Sequence, residues 1–200
     1  MMGKADEAEG LLSEDEGRFL LKLARRSIEY YLKKGQRIEI KPSEVPGKRL
    51  ADDGACFVTL YIGKEKALRG CIGTLEASRP LVLDVADNAL NSAFNDPRFP
   101  RVRMEEMKDI RIEISVLTTP QKLEVSSADD LLKKLVPRKH GLTIQKGWAR
   151  ATFLPVVWDE LKEKREFLSH LCMKAGLEPD EWKDTKGMEF FTYRAQEFEE

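Results

Sequence analysis

A guanidinium and a thiol two residues apart, set among glycines, are the residues of this chain whose types and spacing suggest chemistry. They lie in Ala67-Leu68-Arg69-Gly70-Cys71-Ile72-Gly73-Thr74-Leu75-Glu76. Side chains on a strand alternate between faces. Arg69, Cys71 and Gly73 then share one face, and Leu68, Gly70, Ile72 and Thr74 the other. Two residues of extended chain put the Arg69 and Cys71 Cα atoms roughly 7 Å apart. A thiolate is the reactive form of cysteine, and a neighbouring cation favours it. Arg69 is the nearest cation in sequence and its planar fork suits a carboxylate or phosphate. Two alternatives stay open. Cys71 is either a nucleophile or a small packed residue, and Arg69 either holds an anionic ligand or forms an ion pair with Glu113 or Asp96. Gly70 and Gly73 weaken a strand, so a backbone or ligand is expected to approach closely there.

Three further residue groups extend this candidate site. Asp96-Pro97-Arg98-Phe99-Pro100 holds two prolines, which end a helix and stiffen the loop around Arg98 and Phe99. Glu113 points away from the isoleucine face of its strand and needs water, a cation or Arg69. The binding residues predicted are Arg69, Gly70, Cys71, Gly73, Asp96, Arg98, Phe99 and Glu113, around one cleft, with Cys71 and Arg69 the catalytic candidates. A nucleophile also needs a base. Of the two histidines, His140 is the one considered as a partner, and His170 reads as a helix-surface residue.

The elements that must position these residues follow from periodicity. Ser13 and Glu16 form a capping box for a helix that Gly35 stops. Residues 1–12 read as a mobile lead-in, and 36–54, with its prolines and glycines, as an irregular connection. Ala55–Ile62 and the Arg69/Cys71 strand form a hairpin about Gly63-Lys64-Glu65-Lys66. The first of these strands is apolar on both faces and belongs in the middle of a sheet, covered on both sides. Ser78 can cap a helix with Pro80 in its first turn and a stripe of Val82, Val85, Ala86, Ala89, Leu90 and Ala93. Ile110–Leu117 alternates as a strand with one apolar face. A short helix over 126–136, strands over 140–145 and 148–154, a helix over 164–175 and one closing strand over 188–198 complete the chain. Trp148, Trp158 and Trp182 read as core or partial-core aromatics. The fold class is α+β.

The string Leu68 to Gly73, LRGCIG, resembles the signature of the AMMECR family, which takes its name from a human syndrome of Alport nephropathy, intellectual disability, midface hypoplasia and elliptocytosis. Asn91-Ser92-Ala93-Phe94-Asn95-Asp96-Pro97-Arg98-Phe99-Pro100, Ile112–Leu117 and Phe167–Leu177 extend the resemblance over residues from about 14 to the end. It implies an AMMECR-like fold: a mixed or mainly antiparallel sheet flanked by helices, in two unequal lobes, the smaller within 120–150. In microbes such domains occur fused to, or beside, Memo-like domains and radical-SAM proteins. The resemblance therefore implies a binding or accessory module in a multi-part system that modifies a macromolecule such as RNA. The alternative is a metal-free enzyme with Cys71 as nucleophile and Arg69 as anion holder. This chain has no CxxxCxxC motif and is not the radical-SAM component.

Composition bounds the rest. There are 34 basic and 35 acidic residues, for a formal net charge of −1, so no global field draws in nucleic acid or an anionic membrane. The basic cluster Lys133, Lys134, Arg138, Lys139 and His140 is read first as a solvated face and second as a nucleic-acid patch. Charged residues make up 34%, a thermophile-like content. The three cysteines form no CxxC pair, which argues against a disulfide framework or structural zinc. No metal or cofactor is expected. A start lacking the charge pattern of a signal peptide, and the lack of a long apolar run, point to a cytoplasmic protein.

Overall fold

The computed structural model describes residues 11–200. In chain order the elements are α1 (Glu14–Lys34), α2 (Lys48–Ala51), β1 (Ala55–Ile62), β2 (Ala67–Gly73), α3 (Leu81–Phe94) and β3 (Ile110–Leu117). They continue with β4 (Gln121–Lys122), α4 (Ala128–Lys134), β5 (Gly141–Lys146), β6 (Ala149–Phe153), α5 (Lys164–Lys174), β7 (Glu189–Tyr193) and β8 (Ala195–Glu199). The class is α+β, and the chain divides into two compact units of unequal size. The first spans residues up to Thr118 and takes back Gln196–Glu200; the second is Thr119–Ala195, wider than the 120–150 segment expected for the smaller lobe.

The first unit is built on a four-stranded sheet in the order β2-β1-β3-β8. β1 pairs antiparallel with both β2 and β3, as its apolar character requires of an inner strand. Val58, Leu60, Ile112 and Ile114 are fully buried beneath α1 and α3. Each such side chain contributes about 1.5–3 kcal/mol by leaving water. The opposite face of the sheet is mixed. It carries Phe57, Thr59 and Tyr61 on β1, and Arg111, Glu113 and Ser115 on β3; Thr59 is buried, Arg111 exposed and the others half-buried.

Local signals set the helix ends. Ser13 and Glu16 form the reciprocal capping box of α1, and Gly35 closes it at φ +68°, a left-handed conformation in which glycine has no Cβ penalty. Residues 1–10 of the expected lead-in lie outside the described residues. Leu12 is buried, and its backbone exchanges hydrogen bonds with the Gln196 side chain. Ser78 does not cap α3: that helix starts after Pro80, whose fixed φ suits a helix entry.

The second unit holds a four-stranded sheet in the order β4-β7-β5-β6, over a core that includes Leu131, Ile144, Phe167, Leu171, Trp158 and Trp182. Ser127 caps α4 by accepting the Asp130 amide. Two expectations are corrected here. Trp148 is fully exposed on the β5–β6 turn, since Lys146 pairs with Ala149 and leaves Gly147 and Trp148 as the loop. The closing strand is two strands: β7 joins the second sheet and β8 the first, with the break at Arg194.

Candidate functional site

The site is set by how α3 grips the β1–β2 hairpin. Asp84, Asn88, Ser92 and Asp96 recur every four residues, which stacks them on one side of α3 and its C-terminal extension. All four are buried, and each is spent on the backbone of the hairpin. Asp84 Oδ2 accepts the Cys56 amide at 3.0 Å and the Thr74 hydroxyl, and Oδ1 accepts Arg79 Nε at 3.0 Å. Asn88 Nδ2 donates to Cys56 O. The Ser92 hydroxyl sits between the strands, donating to Val58 O at 2.6 Å and accepting the Ile72 amide at 2.8 Å. Asp96 Oδ2 accepts the Cys71 amide at 2.9 Å. Buried polar groups demand such partners, and here they fix the hairpin against the helix.

This packing explains Gly70. A Cβ at Gly70 would lie 2.2 Å from Ser92 O, so the close approach is that of the α3 backbone. At Gly73 a Cβ would meet the Phe57 ring at 2.3 Å and Cys56 O at 2.5 Å. Both glycines are accounted for by packing within the first unit.

β2 is an edge strand, and Cys71 is where its edge is occupied. The N–H and C=O of one strand residue point the same way, toward the neighbouring strand's position. At Cys71 the N–H goes to Asp96 and the C=O receives Arg98 Nη2 at 3.3 Å. Asp96 and Arg98 are themselves ion-paired at 2.7 Å, and the Arg98 guanidinium lies 5.4 Å from the Phe99 ring centroid. The pair thus stands in for a strand at one residue. The Arg98 guanidinium, with the Cys71 and Arg98 amides, holds the Asp96 carboxyl far below the usual carboxylate range despite its burial.

Arg69 is differently placed from the strict alternation. The β1–β2 register jumps from Leu60↔Gly70 to Tyr61↔Leu68, a bulge that leaves Arg69 without an opposite residue. Its guanidinium is buried and makes three hydrogen bonds: Nε donates to Glu106 Oε1 at 2.9 Å, Nη2 to Glu106 Oε2 at 3.2 Å and Nη1 to Pro100 O at 2.8 Å. Arg69 in turn pulls the Glu106 carboxyl below its usual range. The ion-pair partner is therefore Glu106, not Glu113 or Asp96, and Arg69 is spent on this buried bidentate pair. The cation beside Cys71 is Arg98.

Cys71 itself is half-buried, and its Sγ takes a hydrogen bond from Thr59 Oγ1 at 3.3 Å. The register places Cys71, Thr59 and Glu113 in one row across β2, β1 and β3. Glu113 is held above its usual range by partial burial, then by Glu197 and Glu199. Cys56 and Cys172 are buried, and burial raises both thiols, Cys56 the more strongly with Asp84 beside it. Both histidines belong to the second unit. His140 Nδ1 accepts the Val136 amide, and burial lowers its pKa; His170 is exposed on α5. The basic cluster there is partly neutralised, with Lys134 on Asp130 and Arg138 on Asp159.

Residues that sequence reasoning passed over include Glu106, Thr59, Ser92 and Asp84. The four-residue spacing through Asp84, Asn88, Ser92 and Asp96 carried a signal for the last two. Nothing in the sequence near Glu106 marks it as the partner of Arg69. Among the described residues no group of three or more His, Cys, Asp and Glu is arranged to hold a metal ion, and no helix is long and apolar enough to cross a membrane.

The α+β fold is matched by known proteins. The AMMECR1 family model matches residues 21–198, and the chain belongs to that family. Protein MK0488 of Methanopyrus kandleri is 44% identical over 195 residues, spanning 94% of this chain and 90% of the relative. Protein MJ0810 of Methanocaldococcus jannaschii is 40% identical, spanning 95% and 92%. The crystal structure of protein PH0010 from Pyrococcus horikoshii superposes with a TM-score of 0.81 at 39% identity, over 94% of this chain and 93% of that one.

Proposed function

We propose that this chain is a binding or accessory module that presents the Cys71 face of its first unit to a partner. Its proposed setting is beside Memo-like and radical-SAM proteins, in the modification of a macromolecule such as RNA. One observation carries the reading: the backbone of Cys71, a half-buried residue, is immobilised by Asp96 and Arg98, while its sulfur takes a hydrogen bond from the Thr59 hydroxyl. A rigid strand with ordered side chains loses little entropy on docking. The nucleophile alternative needs a base at the sulfur and a free Arg69 fork. Thr59 is a poor base, and Arg69 is committed to Glu106 and Pro100.

The test mixes this chain with purified Memo-like and radical-SAM proteins of its own organism, singly and together. Association is read by analytical ultracentrifugation and by cross-linking from a photoreactive group on Cys71. The reading expects a complex and cross-links from that face. Absence of any complex, or one whose cross-links map only elsewhere, overturns it. Thiol-dependent turnover lost in Cys71→Ser would favour the enzyme.

A further inference from the structure

The open face of the first sheet has an unbalanced charge. Of the cations around it, Arg69 is committed to Glu106, Arg98 to Asp96 and Lys66 to Glu199, while Arg111, exposed on β3 two residues before Glu113, makes no ion pair with it. Phe198 packs toward Gly17 of α1. Its neighbours Glu197 and Glu199 therefore fall on the opposite face of β8, with Glu113. Glu113 is half-buried in the row with Thr59 and Cys71, and among the described residues no cation stands at ion-pair distance from it. Tyr61 stands beside it on β1, and the attractive charge acting on it is Lys66, which is itself paired with Glu199.

We propose that this face, where Glu113 meets Thr59, Tyr61 and Cys71, docks a cationic side chain of a partner polypeptide, arginine above lysine. The proposal names the partner chemistry of the module reading and rests on it. A carboxylate drawn partly out of water with two like charges nearby gains when a cation arrives. Burial and those two glutamates already push Glu113 toward its neutral form, which fits a site completed by a positive group. Aromatic rings favour the same occupant. Phe57 and Tyr61 flank Thr59 on the same face of β1, and a guanidinium is attracted to a ring face within about 6 Å. Arginine also offers a planar fork to a single carboxylate, which lysine does not. The Phe57 ring, seated over Gly73, and the half-buried Leu117 supply apolar surface for the stem. The same charge repels nucleic-acid phosphates, so a polypeptide is favoured here over RNA.

The test titrates acetyl-triarginine amide into the full chain, with acetyl-triglutamate amide as the counter-probe, and follows backbone amide shifts by NMR. Triarginine is expected to shift Thr59, Tyr61, Cys71 and Glu113, and triglutamate to leave them unmoved. Losing one charge-assisted hydrogen bond in Glu113→Gln should weaken binding about tenfold or more. Glu197→Gln, on an exposed position, should weaken it less and guards against a folding artefact at Glu113. Shifts confined to other surfaces, equal affinity in Glu113→Gln, or triglutamate binding at this face overturn the proposal. If triarginine fails while partner proteins still cross-link to Cys71, the cationic occupant falls and the module reading stands. If triarginine binds as described and no partner associates, the module reading falls and the cation site stands.

Discussion

The Asp96 carboxylate accepts the Cys71 amide at 2.9 Å from beyond the edge of the sheet, in the place where a further strand would put its carbonyl. Exposed sheet edges invite pairing with other chains. Here a loop carboxylate and its ion-paired arginine occupy that position at Cys71.

Replacing Asp96 with Asn should therefore cost stability as well as order. The variant loses the part-buried charge-assisted bonds to Arg98, for about 1–2 kcal/mol at neutral pH after solvent screening of the exposed arginine. The pH dependence has a definite sign. A folded carboxyl held below its unfolded value contributes stability above the unfolded value and loses it as pH falls through the folded one. In urea-melt free energies, wild type and Asp96→Asn should thus differ by a constant amount above about pH 5 and converge as the pH falls below it. A constant difference at every pH would contradict the assignment.

Gly70→Val should be the more damaging of the two glycine substitutions. Its Cβ is set against the backbone of a packed helix, which cannot swing away, and overpacking of this kind costs about 2–3 kcal/mol. Gly73→Val meets a ring that can rotate as well as Cys56 O, and is expected to cost about 1–2 kcal/mol. Thermal melts measure both. Unchanged melting in either would mean that the hairpin does not need this close approach.

Glu113→Gln is expected to stabilise the free protein slightly. A carboxyl whose folded pKa is raised favours the neutral form, so its ionisation costs stability once pH rises above the unfolded value. The gain should be about 0.5 kcal/mol near neutrality, after solvent screening of a half-exposed group. It should vanish below about pH 4, where wild-type Glu113 is protonated. A loss of stability at neutral pH would show that Glu113 is already satisfied.

Native alkylation should find one thiol. Cys56 and Cys172 are buried with raised pKa values, and the thiolate is the species that reacts. Mass spectrometry after brief iodoacetamide treatment should place the label on Cys71, with the other two reacting only after unfolding. Labelling of Cys56 at a comparable rate would mean that the α3–hairpin contact opens readily.

Local chemistry was the legible part of this chain. The Ser13/Glu16 box, Gly35 and the alternation over Ile110–Leu117 each act within a few residues, and each element stands where those signals put it. Non-local choices were hidden. The bulge opposite Leu60 and Tyr61 sends Arg69 to Glu106, a partner 37 residues away that no spacing marks. Alternation also runs unbroken through Arg194, so β7 and β8 read as one strand although they join different sheets. At the site, Asp96 and Arg98 were identified with Cys71. Ser92, which bridges the hairpin backbone, was hidden because a serine on a helix of small residues reads as one more small residue.

The return of β8 to the first sheet has a consequence during synthesis. The second unit is continuous in sequence and can collapse as soon as it leaves the ribosome. The first cannot: its fourth strand, with the Phe198 ring that fills the space over Gly17 and the Glu200 carboxylate that holds Arg25 and the Ile112 amide, emerges only after the whole second unit. Until then the β3 edge and part of α1 stay uncovered. The part of the chain made first is thus the last to be sealed, and a nascent chain halted before Ala195 would carry a finished second unit beside an unclosed first.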